Sequence, residues 1–509
     1  MTGLPTLHSL PGNNSEIKFD ADVIVVGAGP AGMSAAIGIT RAGFKVIVLD
    51  MQPAPGGQIF RSLESNLQAR PATNKLLDAL GPTYLAGQAL IEQFRSTRGI
   101  DYRPETTVWD LRADATVGWL QGDAAGYLRA RQVVVANGAM ERPVPFPGWT
   151  LPGVMTAGAV QTLLKAGRLQ PYGRVVLVGT GPLILLLADQ LRRLGIRPSL
   201  IGRTDTLNDK IAALGSLKIA ALAPLAKGLG WLTKLKLSGI TMRTGVSDLR
   251  ALGRDKVVSV SLSIAGRKVE LGCDLLVVHD GIVPAVDIAH CAGLAMDWQG
   301  DDSSWKPRTT EDGRAEMAPG PVLTGGPCKI RVSGDARRIG GADAAIAHGR
   351  YVAACIAADL HNTLSGGVIV GGDDVARTLA GRPFIDKAFP PGLAAQVLED
   401  DTIVCRCEEL TAGDVRAAIA KGATEMNHLR GILRCGMGPC QGRSCAVTVA
   451  RLLAESPGAN TPAPFRARPP LRPLPLIALA NLSGLDPELS QIVSLGDKPA
   501  AEAMEQPHE

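Results

Sequence analysis

Three features of the sequence predict an α/β fold of two Rossmann-like dinucleotide-binding units, one inserted in the other, with a small α-helical domain behind them. They are the turn Gly27-x-Gly29-x-x-Gly32 after an apolar run, a second turn Gly179-x-Gly181, and five cysteines crowded between Cys405 and Cys445. The chain has 509 residues, 46% hydrophobic and 20% charged, enough for several domains with substantial cores and against a disordered chain. Its net charge of +5 is small for this length, and no basic run is interleaved with aromatics, so nucleic acid is not an expected partner. Met1–Asp20 lacks a basic start followed by an apolar stretch, and no apolar run reaches the ~18 residues of a membrane span. A cytoplasmic protein is expected, with peripheral membrane contact left open. The greasiest segment, Leu214–Leu232, is interrupted by Lys218 and Lys227 and reads as a helix buried at a domain or subunit contact.

The first unit, residues 20–154, opens on the apolar strand Val23–Val26, which runs into the glycine turn and a helix of small residues. Gly27 makes the tight turn, Gly29 lets backbone approach a pyrophosphate, and Gly32 lets the helix lie close to the strand, with Pro30 and Ala31 leading into it. The pyrophosphate then meets free N–H groups and the positive end of the helix macrodipole. A second strand, Lys45–Leu49, ends in Asp50, placed to accept hydrogen bonds from an adenosine ribose.

Three later features favour FAD over NAD. Gly57 and Gln58 follow the second strand, where a loop would wrap the isoalloxazine side. The strand-like run Gln132–Ala136 stops at Asn137-Gly138-Ala139, where backbone can pass a nucleotide. Far downstream, Val332-Ser-Gly334-Asp335 is followed by Gly340-Gly341 and a helical run Ala342–Leu360. Asp335 can hold a ribitol, and the helix beginning after Gly341 can point its N-terminus at the flavin pyrimidine. The FAD unit is therefore split, its second part spanning residues 325–380.

The inserted unit, residues 155–324, starts with the strand Arg174–Val178 and the turn Gly179-Thr-Gly181, but its third fingerprint position is Ile184. A branched side chain there pushes the helix from the strand and crowds a pyrophosphate. The next strand, Pro198–Ile201, is followed by Gly202-Arg203 and no acid; Arg203 could favour a 2′-phosphate or lie on the surface. The expectation is a Rossmann shape kept without working NAD(P)H binding, with NAD(P), ATP or no nucleotide left open.

In residues 398–456, Cys405-Arg-Cys407 follows a short apolar strand, a helix is expected over Thr411–Lys421, and Cys435-Gly-Met-Gly-Pro-Cys440-Gln-Gly-Arg-Ser-Cys445 precedes another helix. In a reducing compartment this crowding reads as a metal site, not a disulfide framework. Cys405, Cys407, Cys440 and Cys445 are the expected thiolate ligands of a [2Fe–2S] cluster, with Cys435 a buried thiol. Zinc is the rival, but CxC with CxxxxC departs from the paired CxxC knuckles usual for it. The tail, residues 457–509, is rich in proline and reads as an extended arm over this chain or a partner, with a disordered linker as the alternative.

The split FAD unit with its insertion resembles the flavoproteins that include thioredoxin reductase and glutathione reductase. Those pass electrons to a cysteine pair against the flavin, whereas no cysteine here precedes Cys273, which excludes a thiol–disulfide reductase. Residues 401–455 resemble the bacterioferritin-associated ferredoxin-like [2Fe–2S] domain. Together with Ala139–Thr156 and Gly281-Ile-Val-Pro284, they resemble the FAD-containing α-type subunits of heteromeric amine dehydrogenases: opine oxidases, D-hydroxyproline dehydrogenase and hydrogen cyanide synthase. Sarcosine oxidase α chains are more distant. Such subunits usually carry Glu where Asp50 stands; the ribose contact remains possible.

The resemblance implies an electron-transfer subunit whose partner, a β subunit of amino-acid-oxidase type, dehydrogenates an opine or an imino acid such as D-hydroxyproline. A small ferredoxin-like γ subunit is a further implied partner. No catalytic residue is assigned to this chain, and His279, His290, His348 and His428 read as packing or cap residues. The alternatives are a self-contained NAD(P)H-dependent flavin and iron–sulfur oxidoreductase, and a scaffold or nucleotide-sensing subunit with vestigial cofactors.

Overall fold

The computed structural model describes residues 18–219, 222–319, 328–361, 371–456 and 461–482. Its first unit is built on seven strands. β1 (Ala21–Val26) leads through the glycine turn into α1 (Pro30–Arg41), and β2 (Val46–Leu49) and β3 (Ile100–Arg103) add in parallel on one side. On the other side β4 (Thr107–Leu111), β5 (Thr116–Gln121) and β6 (Ala124–Val135) form an antiparallel meander, giving the order β3-β2-β1-β6-β5-β4. The long β6 serves twice: its first half pairs with β5, and its second half lies parallel to β1 in the register Val23↔Gln132 to Val26↔Val135. Val23–Val26, Val46–Leu49 and Val133–Val135 are buried as continuous apolar runs, as a parallel sheet covered on both faces requires.

The inserted unit has a second, all-parallel sheet. Its strands are β7 (Val154–Thr156), β8 (Val175–Gly179), β9 (Leu200–Arg203), β10 (Met242–Arg243) and β11 (Leu275–His279), in the order β10-β9-β8-β11-β7, and α2 (Pro182–Arg193) follows β8. The apolar segment expected to be buried is instead a surface helix, Leu222–Leu237. Leu235 is buried, but Leu214, Leu222, Leu229 and Leu237 face solvent. Lysines at intervals along the segment keep all but one edge from a core.

α3 (Asp287–Cys291) crosses back toward the first unit, and β12 (Ile330–Val332) completes it by pairing with β6, Ile330↔Val133 to Val332↔Val135. Then α4 (Ala342–Leu360), with the bounds the sequence suggests, packs along α1. Gly349 sits against the Ala31 carbonyl and Gly38 against Ala353, so small side chains set the close approach. α5 (Arg382–Ala388) leads toward the last domain; residues 320–327 and 362–370, inside the expected boundaries, lie outside the described residues.

The C-terminal domain has a β13 (Ile403–Cys405) and β14 (Leu410–Thr411) hairpin and three helices, α6 (Ala412–Ala420), α7 (Met426–Leu433) and α8 (Ala446–Ala454). Thr411 and Asp414 form a reciprocal capping box that fixes the start of α6. Val404, Val415, Leu429, Val449 and Leu453 form its core, which also takes in Trp305 and Phe465 from outside the domain. Phe465 belongs to the arm: residues 461–482 lie over this chain, with Trp305 Nε1 donating to the Pro462 carbonyl at 2.9 Å and the Leu471 N–H to the Trp109 carbonyl at 2.8 Å. Residues 457–460 and 483–509 of the expected arm lie outside the described residues.

Behind β12, Arg331 is buried with its guanidinium 3.1 Å from Asp312 and 2.6 Å from Asp359, and it also bonds Gln132. Removing one partner of a buried ion pair strands the other charges. Arg331→Ala is expected to destabilise the first unit by about 3–5 kcal/mol, read as a lower urea midpoint for flavin release; an unchanged midpoint would contradict this.

Candidate functional site

A cavity of about 800 Å³ opens at the carboxyl ends of the first sheet. Gly27, Gly29, Pro30 and Ala31 of the turn line it, as do Asp50, Gly57 and Gln58, and Gly138, Asp335 and Gly341. Gly32 and Gly334 stand just behind the wall: a Cβ on Gly32 would collide with the Gly27 carbonyl, and one on Gly334 would meet Ala31 Cβ at 2.6 Å. Gly57 is pressed so closely on Gly29 that a Cβ there would lie 2.9 Å from the Gly29 Cα. The loop after β2 therefore folds over the turn, backbone on backbone.

Asp50 is held in the wall by two N–H donors, Ala28 at 2.5 Å and Gln52 at 2.7 Å. Burial pushes its pKa up, while the two backbone donors and Arg61 pull it down. Asp335 accepts from the N–H groups of Gly340 (2.8 Å) and Gly341 (3.1 Å), fixing the loop from which α4 starts. The carboxylate thus aims the N-terminus of α4 at the cavity and is more than a plain helix cap. Asn137 donates to the Ala285 carbonyl at 2.9 Å, but its Oδ1 is buried without a partner in the cavity wall. A hydroxyl or ring N–H of FAD would satisfy such an atom. The residues present fit the cofactor.

Two polar groups in this wall are not signalled by the sequence. Lys165 lies in a π-helical turn, Leu163–Gly167, after the helix Ala157–Thr162. Its buried Nζ donates to the carbonyls of Gln58 (3.2 Å) and Ile59 (3.1 Å) and to Gln161 (3.3 Å), and burial brings its pKa down to about 8. The sequence shows only a lysine in an apolar helix, and the π turn that rotates it inward has no local signature. Glu141 bonds His279 Nδ1 at 2.6 Å and accepts the Gly158 N–H at 2.7 Å, so His279, expected to be a packing residue, joins the flavin cavity to the end of β11.

Gly179 and Gly181 do not line this cavity and are buried. Ile184 is fully buried in the core with Val175 and Leu177. Arg203 is neither a surface arginine nor free for a phosphate: it is 8% exposed, and its Nε donates to Asp205 at 3.1 Å. The acid missing at the end of β9 is supplied two residues later, and Asp205 is consumed by Arg203 and by Lys210 at 2.9 Å.

In the C-terminal domain the thiols of Cys407, Cys440, Cys445 and Cys405 touch in that order. Donation from Cys445 brings Cys405 down to about 6 and Cys440 to about 5, helped by backbone N–H groups, and pushes Cys445 itself up. Two anionic sulfurs held by backbone donors are the state in which thiolates take iron. Among the described residues no three His, Cys, Asp or Glu side chains are placed to hold a single metal ion. A chain of two thiol pairs suits a two-iron core better than a zinc tetrahedron. Cys435 is wholly buried and raised to about 12 by burial, unlike a ligand.

The flavin cavity extends to this loop. Gln441, Gly442 and Arg443, between Cys440 and Cys445, line it together with Phe465 and Arg472 of the arm. Asp287, at the start of α3, binds Arg472 at 2.8 Å, lies 3.7 Å from Arg443 and reaches Asn137 at 3.4 Å. Both candidate cofactor sites therefore share one wall.

Residues 21–302 match the pyridine nucleotide-disulphide oxidoreductase family, and residues 403–455 match the BFD-like [2Fe-2S] binding domain. The chain is 37% identical to the FAD-type "A" component of the opine oxidase of Agrobacterium tumefaciens (strain Ach5), over 91% of this chain and 92% of that protein. It is 28% identical to hydrogen cyanide synthase subunit HcnB of Pseudomonas protegens, over 92% and 98% of the two chains. The structure of L-proline dehydrogenase from P. horikoshii shares the fold, with a TM-score of 0.62 at 19% identity over 89% of this chain and 78% of that one. FAD and a [2Fe–2S] cluster are thus the cofactors of this chain, an FAD-dependent oxidoreductase. Among the described residues no helix is long and apolar enough to cross a membrane.

Lys165 gives a signed pH dependence. Its pKa falls on folding from 10.5 to about 8, so between these values the unfolded chain holds a proton that the folded chain has released. Wild-type stability is therefore expected to rise with pH in that window, relative to Lys165→Met, by up to about 1.4 kcal/mol per pH unit. Urea titrations at several pH values check this, and parallel curves for the two proteins would refute it. Gly32→Ala is expected to yield a folded protein with at least about tenfold weaker FAD retention, measured by flavin absorbance after gel filtration.

Proposed function

We propose, on the premise that this chain belongs to the family of opine oxidase "A" components, that it is the electron-transfer subunit of a heteromeric dehydrogenase acting on a CH–NH substrate, an opine of octopine or nopaline type or an imino acid such as D-hydroxyproline. In this reading a β subunit of amino-acid-oxidase type removes the hydrogens from the amine, and a small ferredoxin-like γ subunit is a further candidate partner. Gly27, Gly29, Pro30, Ala31 and Gly57 would bring backbone against the FAD pyrophosphate, with Gly32 and Gly334 keeping the wall thin. Asp50 would take the ribose and Asp335 the ribitol, with Gln58, Gly138 and Gly341 against the ring system. Cys405, Cys407, Cys440 and Cys445 would hold the cluster.

When bound, FAD accepts electrons in pairs and the cluster passes them singly. The chain's own residues provide the setting. Lys165 keeps a positive charge beneath the Gln58 loop, the turn and the α4 N-terminus favour negative charge, and the arm with Phe465 closes the cavity from water on the cluster side. One observation carries the reading: the loop between Cys440 and Cys445 lines the same cavity as the Gly27 turn.

Cys440→Ser separates the steps. The variant should keep its FAD and still be bleached by photoreduction. It should lose the paramagnetic signal of a reduced two-iron centre and pass electrons to a one-electron acceptor at least about tenfold more slowly. Undiminished transfer without the cluster signal would rule out the relay.

A further inference from the structure

In an open parallel sheet a nucleotide binds outside the carboxyl ends of the strands, where the strand order reverses. In the inserted unit that edge is marked by Gly179, Arg203 and His279, the last residues of β8, β9 and β11. The same chain supplies the comparison. In the first unit Gly27, Gly29 and Pro30 are only half-buried and open onto the flavin cavity, whereas Gly179, Thr180 and Gly181 are all buried.

What lies across this edge is the chain itself, residues 388–394, between α5 and the cluster domain. The Phe389 ring sits over the Lys210 ammonium (3.4 Å to the centroid) and near Arg203 (5.9 Å), while the Ala388 carbonyl accepts from Lys210. Gly392 rests against Thr204, directly after β9, where any Cβ would collide. The N–H groups of Gly392, Leu393 and Ala394 all donate to the Asp280 carboxylate, at 2.9, 3.0 and 2.7 Å. Asp280 follows β11 and is wholly buried, and Leu393 packs among Val178, Leu200, Leu276 and Val278. The cations that could have met a phosphate are engaged with Asp205, Phe389 and a carbonyl. A buried carboxylate stands where a pyrophosphate would have to approach, and like charge opposes it.

We infer that residues 388–394 are a built-in occupant of the second nucleotide site, and that the inserted unit is the docking cradle of the [2Fe–2S] domain. NADH, NADPH and ATP do not bind there. The grip continues just downstream: Glu399 pairs with Arg250, Trp149 Nε1 donates to the Ile403 carbonyl at 2.7 Å, and Arg406 lies over the Trp149 ring. Cys405 and Cys407 follow within this clamped stretch, so the cradle fixes the first ligand loop against the body of the protein.

The test uses the full-length protein with both cofactors. Equilibrium dialysis should find no saturable binding of NADH, NADPH or ATP up to about 1 mM, and anaerobic NADH or NADPH should leave the flavin band unbleached. Gly392→Val should displace the segment: FAD stays, but tryptic cleavage after Lys387 becomes at least about tenfold faster and the line shape of the reduced cluster changes. Phe389→Ala, a milder change, should accelerate the same cleavage while leaving the protein folded. Saturable wild-type binding of any of the three nucleotides below that limit, or cleavage of Phe389→Ala at the wild-type rate, overturns the inference. Neither outcome bears on whether the cluster receives electrons from the flavin.

Discussion

Electrons pass between two carriers only when the protein between them is thin and still, and in this chain the stillness centres on Asp287. Its carboxylate binds Arg472 of the arm, lies beside Arg443 of the cysteine loop, and touches Asn137 in the flavin cavity. Three parts of the sequence that could each move alone are thereby joined through one partly buried acid, where charge-assisted hydrogen bonds are stronger than on an open surface. Arg443 also donates to the Leu471 carbonyl, and Phe465 sits beneath the loop at Gly436 and Gly442. The arm is thus a wall of the site, and the position of the cluster loop depends on it.

The two Rossmann units show how one motif diverges when its surroundings change. In the first, glycines leave room for a ligand, and the acids Asp50 and Asp335 are fixed by backbone donors in the cavity wall. In the second, the corresponding room is filled from within. Asp280 binds three consecutive N–H groups of the linker, and Arg203, the residue most suggestive of a phosphate contact, is neutralised by Asp205. The fold persists because its core does: Val175–Val178 and Ile184 are buried as in any α/β sheet. Lys165 and the Glu141–His279 pair stand between the units, so the flavin environment depends on the insertion even where it binds no nucleotide of its own.

Much was legible in the sequence because the relevant signals are local. The α/β class, the glycine turn, the strand ending in Asp50, the helix Ala342–Leu360 and the crowded cysteines each occupy a short window in which side-chain size, periodicity or ligand type dictates the outcome. The same windows misjudged Leu214–Leu232, whose leucines look inward on composition but face solvent because lysines interrupt every candidate core face. They also misjudged Arg203, whose partner lies two residues beyond the strand where a conventional fingerprint ends.

The sequence by itself therefore determined the fold class, the two cofactors and the residue types that can hold them. Only the tertiary structure decided that Lys165 turns inward on a π-helical turn, that Asp287 joins the arm to both sites, and that Gly392 closes the second nucleotide edge. The reason is physical. A turn or ligand motif is specified by neighbours along the chain, whereas an ion pair or an occupied crevice is specified by neighbours in space. Asp287 and Arg472 are 185 residues apart, and Asp280 and Gly392 are 112 apart. No local pattern records which distant segment will fill a given space until the cores on either side have packed.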